Sequence, residues 1–473
     1  MRGRADGPLR LTASFWLLPD TALALHGRDL ARLLRLVAVH GNSSQTRIGT
    51  ATGLSQGQVS QIMNGSRVVR NIDVLERIAD GLEMPDGARV KLGLAPCFES
   101  SLPAIARVGA YSASQAEISG GLERLTAMDG AGVAMLKQLP FDNAGFVTVS
   151  RNWLIGQLST EAAGGSVQES GRDGAAAVRD TFAAFQEIDT KYGGAHAHDA
   201  IVRYLHMQLI PLIGQTGNAA TRNRLYYAAA ELVYLAGMTA FDSGSCGLAQ
   251  RYFSYSLRLA EEAGESAFAG NVLAAMAHLA NNHKQGKEAA NLARAGLVAA
   301  GAGSSALRMR LQITLGRACA LQGNGRECAR AIDRAERALD ALPAVPEHRW
   351  TRFLDSAYLL GEMAQCFLDL KDFQKAQGFA EQSIAVNEGR HRRLALSHVA
   401  LVVARGEMRD REGAVQSLGD ARRVMGNLQS SRTLSAVRQA ISSVKGLKVD
   451  SGWLAGASTA LGPTPSCCIH LSD

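Results

Sequence analysis

From residue 180 to residue 424 the chain is a succession of amphipathic segments rich in Ala and Leu, in a total of 473 residues. Apolar residues recur at helical spacing, alternating strand patterns are few, and Pro occurs only 11 times. That combination predicts a mostly helical protein. Candidate helices cover residues 200–210, 221–236, 249–263, 267–278, 287–299, 306–321, 326–339, 352–368, 373–386, 392–404 and 411–424. None can bury its apolar face alone, so they are expected to stack in pairs as a helical array over 176–445.

The register of the stacking is partly readable. Small residues fall near the start of the second helix of successive pairs at Ala249, Ala289, Cys328, Ala376 and Ala414, spaced by 40, 39, 48 and 38. Leu315-Gly316 precedes the third and Leu360-Gly361 the fourth, the latter three residues early for one register. Small side chains there let neighbouring helices approach closely. The pattern resembles a degenerate tetratricopeptide repeat, longer than its usual period of about 34. A non-repeating helical domain is the alternative. A solenoid of this kind offers a concave surface, and Tyr226, Tyr227, Tyr234, His278, Asn281 and Asn282 are candidate lining residues. For the aromatics, core packing is the competing reading. The cluster Arg390-His391-Arg392-Arg393 reads as a solvated turn and helix start.

A different local pattern occupies residues 44–64, SQTRIGTATGLSQGQVSQIMN. It divides into a short helix at 44–52, a turn at Gly53-Leu54-Ser55 and a second short helix at 56–63. Gly53 stands where the chain must reverse and accepts positive φ. Ser55 is placed to cap the second helix. Ile48 and Ala51 face the core from one helix, Val59 and Ile62 from the other. The outer surface carries Gln56, Gln58, Ser60 and Gln61 without an acid. Gln can pair with an adenine edge and Ser with several bases, which makes this a candidate major-groove surface. The alternative is a helical hairpin with a solvated face.

Net charge is +7 and the isoelectric point about 9.1, compatible with a nucleic-acid partner. Placement is more informative. No acid lies between Asp29 and Asp73, an interval that holds Arg32, Arg35, Arg47, Arg67 and Arg70. Acids return at Asp73, Glu76, Asp80, Glu83 and Asp86. A phosphate backbone prefers the first group of surfaces.

Residues 28–96 resemble the helix-turn-helix domain of the phage-repressor, or xenobiotic-response-element, family. The matching words are SQTRIG at 44–49, GLSQGQVSQI at 53–62, Asn64-Gly65 and LERIADGL at 75–82. The last, with ARVKLGLAP at 88–96, is similar to actinobacterial regulators, in many of which a helical array is attached to the same domain. The resemblance implies an all-α chain: a five-helix lambda-repressor-like DNA-binding domain, then a tetratricopeptide-like α-solenoid. It implies a backbone contact at Gln45 and base-reading places at Gln56 and Gln61. Gln58 and Ser60 complete the expected base-reading set, and Arg47, Ser55, Asn64, Arg67 and Arg70 the phosphate-contacting set. Gly57 departs from the polar residue usual at its place, removing a contact and lowering helix propensity.

The organisation expected is therefore an extension at 1–27 able to pack on the adjoining domain, a DNA-binding domain at 28–96, a linker with docked helices at 97–175, the array at 176–445 and a disordered tail at 446–473. The scattered odd cysteines Cys97, Cys246, Cys319, Cys328, Cys366, Cys467 and Cys468 suggest reduced thiols and a cytoplasmic protein rather than a disulfide framework. No stretch reads as a signal peptide or membrane span. No phosphate loop, HExxH word or nucleophile elbow appears, so neither an enzyme nor a cofactor is expected. His198 and His206, about two helical turns apart, are too distant to share a metal ion. The function expected is sequence-specific binding of double-stranded DNA by a transcriptional regulator. Its array would mediate homo-oligomerisation or bind a peptide, protein or small-molecule effector. The alternative is a protein-interaction scaffold with a vestigial helix-turn-helix.

Overall fold

The computed structural model describes residues 11, 15–16, 18–69, 71–94, 115–132, parts of 134–153, and 174–443 apart from 215–218, 302, 347, 388 and 427–429. Among these the fold is all-helical, with no strand. The expected tail at 446–473 lies outside the described residues. The chain divides into two compact units, Met1–Ala106 and Arg107–Asp473.

In the first unit the helices are α1 (Pro19–His26), α2 (Leu30–His40), α3 (Gln45–Thr52), α4 (Gln56–Met63), α5 (Ile72–Gly81) and α6 (Asp86–Leu92). Side-chain caps set several starts: Asp29 accepts from the Arg32 amide, Ser44 from Arg47, Ser55 from Gln58 and Asn71 from Asp73. Each such cap is worth about 1 kcal/mol. Leu33, Leu34, Val37, Ile48, Val59, Ile62 and Ile78 meet in one core. Ala51 is half-buried against it. The expected five-helix domain gains a helix here. The region before residue 28 supplies α1, and Phe15, Trp16, Ala24 and Leu25 enter the same core. α1 escapes periodicity because its buried face does not follow hydrophobicity: Thr21 is buried with Ala24 and Leu25 while Leu23 is exposed.

The second unit opens with α7 (Gln115–Gly130), α8 (Ala134–Lys137), α9 (Gly174–Tyr192) and α10 (Gly194–Tyr204), which continues through a π-helical turn at Leu205–Leu209. α7 packs on α10 and on the first hairpin. Its Asp129 accepts a hydrogen bond from Tyr252, at 2.5 Å, and pairs with His198, at 3.0 Å. The other nitrogen of His198 meets Thr239 at 2.8 Å, so this histidine is a buried connector.

Paired helices come next: α11 (Ala219–Asp242) with α12 (Cys246–Glu262), α13 (Ser266–Asn282) with α14 (Gly286–Ala300), and α15 (Ser305–Leu321) with α16 (Gly325–Asp340). Beyond them lie α17 (Ser356–Asp369) with α18 (Phe373–Ala385), α19 (His391–Glu407) with α20 (Arg411–Met425), and a final α21 (Ser431–Ser443). The first helix of each pair also packs on the first helix of the next. Ala249, Ala289, Cys328, Ala376 and Ala414 are all fully buried, as close helix approach requires. The turn inside each pair repeats the same register. Gly244, Lys284, Gly323, Lys371 and Arg409 have positive φ, each two residues before the next helix.

The long step of 48 has a physical cause. Residues 341–355 form an extra connection with a short 3-10 turn at Arg349–Thr351. Trp350 is buried and donates to the Tyr227 hydroxyl at 3.2 Å. Arg349 forks onto the buried carboxylate of Glu231 and lies over the Phe182 ring. Further links join the start of the array to its end: Arg392 to Asp189 at 3.0 Å, and Ser430 to Asp242 at 2.8 Å.

Candidate nucleic-acid interface and array cavity

The turn between α3 and α4 is built by backbone geometry. Gly53 has φ +66°, and the Leu54 amide donates to the Gly49 carbonyl at 2.9 Å. A Cβ on Gly49 would stand 2.6 Å from the Leu54 oxygen, so this glycine permits the tight approach. On the other side, a Cβ on Gly81 of α5 would fall 2.0 Å from the Ala51 carbonyl oxygen. Two glycines therefore set the pitch at which α3 and α4 meet the rest of the core.

α4 turns about 100° per residue. Val59 and Ile62 occupy its buried side, while Gln56, Gly57, Ser60, Gln61 and Asn64 share the outer one. Gln58 stands apart from that group. Its side-chain oxygen accepts from the Ser55 amide at 2.9 Å while Ser55 Oγ accepts from the Gln58 amide, a reciprocal cap. Gln56 donates to Gln45 Oε1 at 3.0 Å, joining the first residues of α3 and α4 into one polar corner. Arg67 is exposed, and its amide is tied to the Gln61 carbonyl, which keeps the loop beside the end of α4. Among the described residues it has no ion-pair partner. Arg47 is half-buried near the start of α3, and Arg70 lies outside the described residues. Arg32 pairs with Asp20 of α1 at 2.7 Å.

In the array, a cavity of about 210 Å³ lies among α9, α11, α13, α15, the 341–355 connection, α17, α19 and α21. A second, of about 330 Å³, shares His278, Arg393, Leu396 and Arg432 with it. Of the expected lining residues, Tyr234 and His278 face the first, and His278 and Asn282 the second. Tyr226, Tyr227 and Asn281 line neither cavity. Tyr227 supports Trp350, and Asn281 is fully buried, donating to the Thr314 carbonyl at 3.0 Å.

The cluster at 390–393 is not the solvated turn that its charge predicts. His391 does begin α19, but Arg390, Arg392 and Arg393 are largely buried. Each meets a carboxylate from a different element: Asp355, Asp189 and Glu362 respectively. Such burial is tolerated because opposite charge and hydrogen bonds replace water. Gly361 makes room for it, since a Cβ there would lie 2.9 Å from Arg393 Nη1. The sequence signal that could have found this is three arginines within four residues, set against acids spaced through other elements of the array.

Burial drives the His278 imidazole down to about 3, with Glu362 opposing and Arg432, Arg317 and Arg310 reinforcing the shift. His278 is therefore neutral at neutral pH. Burial would raise the Glu362 carboxyl, but His278, Arg393 and Arg317 outweigh it and hold the group down at about 2.

Among the described residues no helix is long and apolar enough to cross a membrane. Among the same residues, no three His, Cys, Asp or Glu side chains gather as they would around a metal ion. Cys246, Cys319, Cys328 and Cys366 are buried.

Residues 29–92 match a helix-turn-helix domain family. The match spans α2 to α6 and leaves the array outside it. No curated protein matches the chain. A helix-turn-helix of this type suggests DNA binding.

Proposed function

We propose that this chain is a non-enzymatic transcription regulator that reads double-stranded DNA in a sequence-specific manner through α4. The observation that carries the reading is the outer face of that helix. Gln56, Ser60 and Gln61 sit on a capped helix, beside exposed Arg67, in an interval without acids. Amide and hydroxyl side chains carry the donors and acceptors that base edges require, and arginines meet phosphate. Gln45 and Ser55, at the two helix starts, and Asn64, at the end of α4, are the accompanying backbone contacts.

The array is read as tetratricopeptide-like, supported by its paired helices and the shared spacing of buried small residues and turn residues. Its role is assembly of a homodimer and reception of an effector. One helix offers a small contact area, and two copies on half-sites about 34 Å apart multiply affinity. The test is binding of the full chain to a genomic duplex library against random-sequence competitor, with footprinting of the duplexes retained. A preferred duplex with two protected half-sites is expected. A folded protein without any preferred duplex overturns DNA reading, and a single protected half-site overturns assembly.

A further inference from the structure

The smaller array cavity has more positive charge than its neighbours neutralise. Arg390, Arg392 and Arg393 each have a close carboxylate. Arg310 of α15 has none within ion-pair distance among the described residues, although it is 4% exposed. Its Nη1 donates to the Tyr234 hydroxyl at 3.2 Å and to both oxygens of Asn271. Its Nε is buried without a partner. The Tyr358 hydroxyl is a further partner, and the two tyrosines outweigh burial and hold the guanidinium charged, but among the described residues no carboxylate meets its Nε–Nη2 edge, the one that can grip two oxygens at once. Arg432 of α21 is nearly as poorly matched. It reaches His278 Nε2 at 3.5 Å and Asp242 at 3.6 Å, and Asp242 is already closer to Arg392, at 3.3 Å. Burial pushes the Arg432 guanidinium down, Asp242 opposes, and Arg392 and Arg393 add to the push.

A buried charge without a counter-charge is costly, and a bound anion removes that cost. The remaining wall combines an apolar side, Leu235, Met238, Phe353 and Leu396 with the rings of Tyr234 and Tyr358, and a polar one, Gln186, Thr190 and His391 with the Asp189 carboxylate that Arg392 engages. We propose that this cavity binds a small oxyanion, a phosphate monoester or a carboxylate on a compact apolar body, between Arg310 and Arg432. Neutral His278 stands beside Arg432, its Nδ1 facing Glu362 at 3.8 Å, and it holds the second arginine in place. At about 210 Å³ the site is smaller than drug-sized pockets of about 300–1,000 Å³, which favours a compact ligand. Tyr234 and Asn271 fix the first arginine before any ligand arrives, so little ordering is needed on binding. The inference rests on the effector role proposed for the array and gives that effector a chemical class, but binding at this cavity does not depend on whether α4 reads DNA.

The experiment uses the full chain with phenyl phosphate, benzoate and neutral benzyl alcohol as probes, read by calorimetry and thermal unfolding. Saturable binding and a raised Tm are expected with phenyl phosphate or benzoate, and whichever binds identifies the oxyanion. Arg310→Gln and Arg432→Gln should each weaken that binding by about ten-fold or more, the loss of a charged hydrogen bond. If Arg310→Gln does not fold, Arg432→Gln and competition by chloride decide the matter. Equal binding of benzyl alcohol, no binding of either anion, or undiminished binding by the folded variants overturns the proposal. Operator affinity is measured separately with the probe that binds. No change there rejects coupling to DNA and leaves the site standing, whereas absent operator binding without probe rejects the DNA reading alone.

Discussion

Arg67 stands exposed beside the end of α4, while Arg310 is 4% exposed inside the array. The same side chain does opposite work in the two places. On α4's side, charge stays in water, in a stretch from 30 to 72 that carries no acid, which suits the approach of a polyanion and the release of its counterions. In the array, charge is withdrawn from water and tied by named partners, so only a ligand small enough to enter can respond to it. An exposed arginine says little about the fold and much about the approaching partner. A buried one constrains the fold strongly, and becomes informative about a ligand only where its partners fall short.

The contrast can be tested from its strongest effect downward. Arg349→Met should cost the array about 3 kcal/mol, because it removes the ion-pair partner of the buried Glu231 carboxylate and leaves it the Tyr227 hydroxyl and the more remote charge of Arg179. Urea unfolding at pH 7 measures this, and a loss under about 1 kcal/mol would show that the ion pair does not tie the connection down. Gly81→Ala should destabilise the first unit by about 3 kcal/mol, because the new methyl meets the Ala51 backbone rather than a side chain that can move. Hydrogen exchange at α3 amides reports that loss directly.

His278 supplies a pH test. Its folded value of about 3 lies below the ordinary 6.5, so between these values the unfolded chain takes up a proton that the folded chain refuses. Stability is therefore lost as pH falls through this window, at about 1.4 kcal/mol per pH unit for this group. Glu362, held down at about 2 against an ordinary 4.5, adds its own loss only below about 4.5. Between pH 6.5 and 4.5 the difference in slope between wild type and His278→Asn isolates the histidine. An identical slope in the two proteins would contradict its buried neutral state. On the exposed side, Arg67→Ala should reduce the salt dependence of DNA binding by about one counterion with little change in stability. The smallest effect is a gain. Gly57→Ala places a methyl in open space, 4.0 Å from Ser55 Oγ, and should stabilise α4 by about 0.5–1 kcal/mol. A loss in its urea midpoint would mean that Gly57 is held by something other than its helix neighbours.

How much of this is legible in sequence depends on range. The α3–α4 pair can be read because its signals are local: Ser44 and Ser55 cap within three residues, Gly53 turns the chain, and Ile48, Val59 and Ile62 fall at helical spacing. The array's helices are legible for the same reason, and so are five of its buried small residues. Gln58 reads from sequence as a base reader on its polarity, although Ser55-x-x-Gln58 also has the spacing of the reciprocal cap that engages its side chain. The cavity is the least legible part. Its arginines gain meaning only through Asp189, Asp242, Asp355 and Glu362, which lie on other elements of the fold. The 48-residue step is visible as an irregularity, but not as a connection that brings Arg349 to Glu231.

That connection changes how the array should come apart. In an open stack of hairpins each member touches only its neighbours, so the ends can fray while the middle holds. Here Arg349 is tied to Glu231, Arg392 to Asp189 and Ser430 to Asp242, spanning 118, 203 and 188 positions of sequence. The early helices hold the late ones directly, so neither end is a weak point that can melt alone. Each such link must close a long loop before it contributes, which delays the last stages of folding and then removes intermediate openings from the native ensemble. A chain made of similar modules is in this way denied modular unfolding, and the arginines around His278 lie at the seam where the two halves of the stack are fastened.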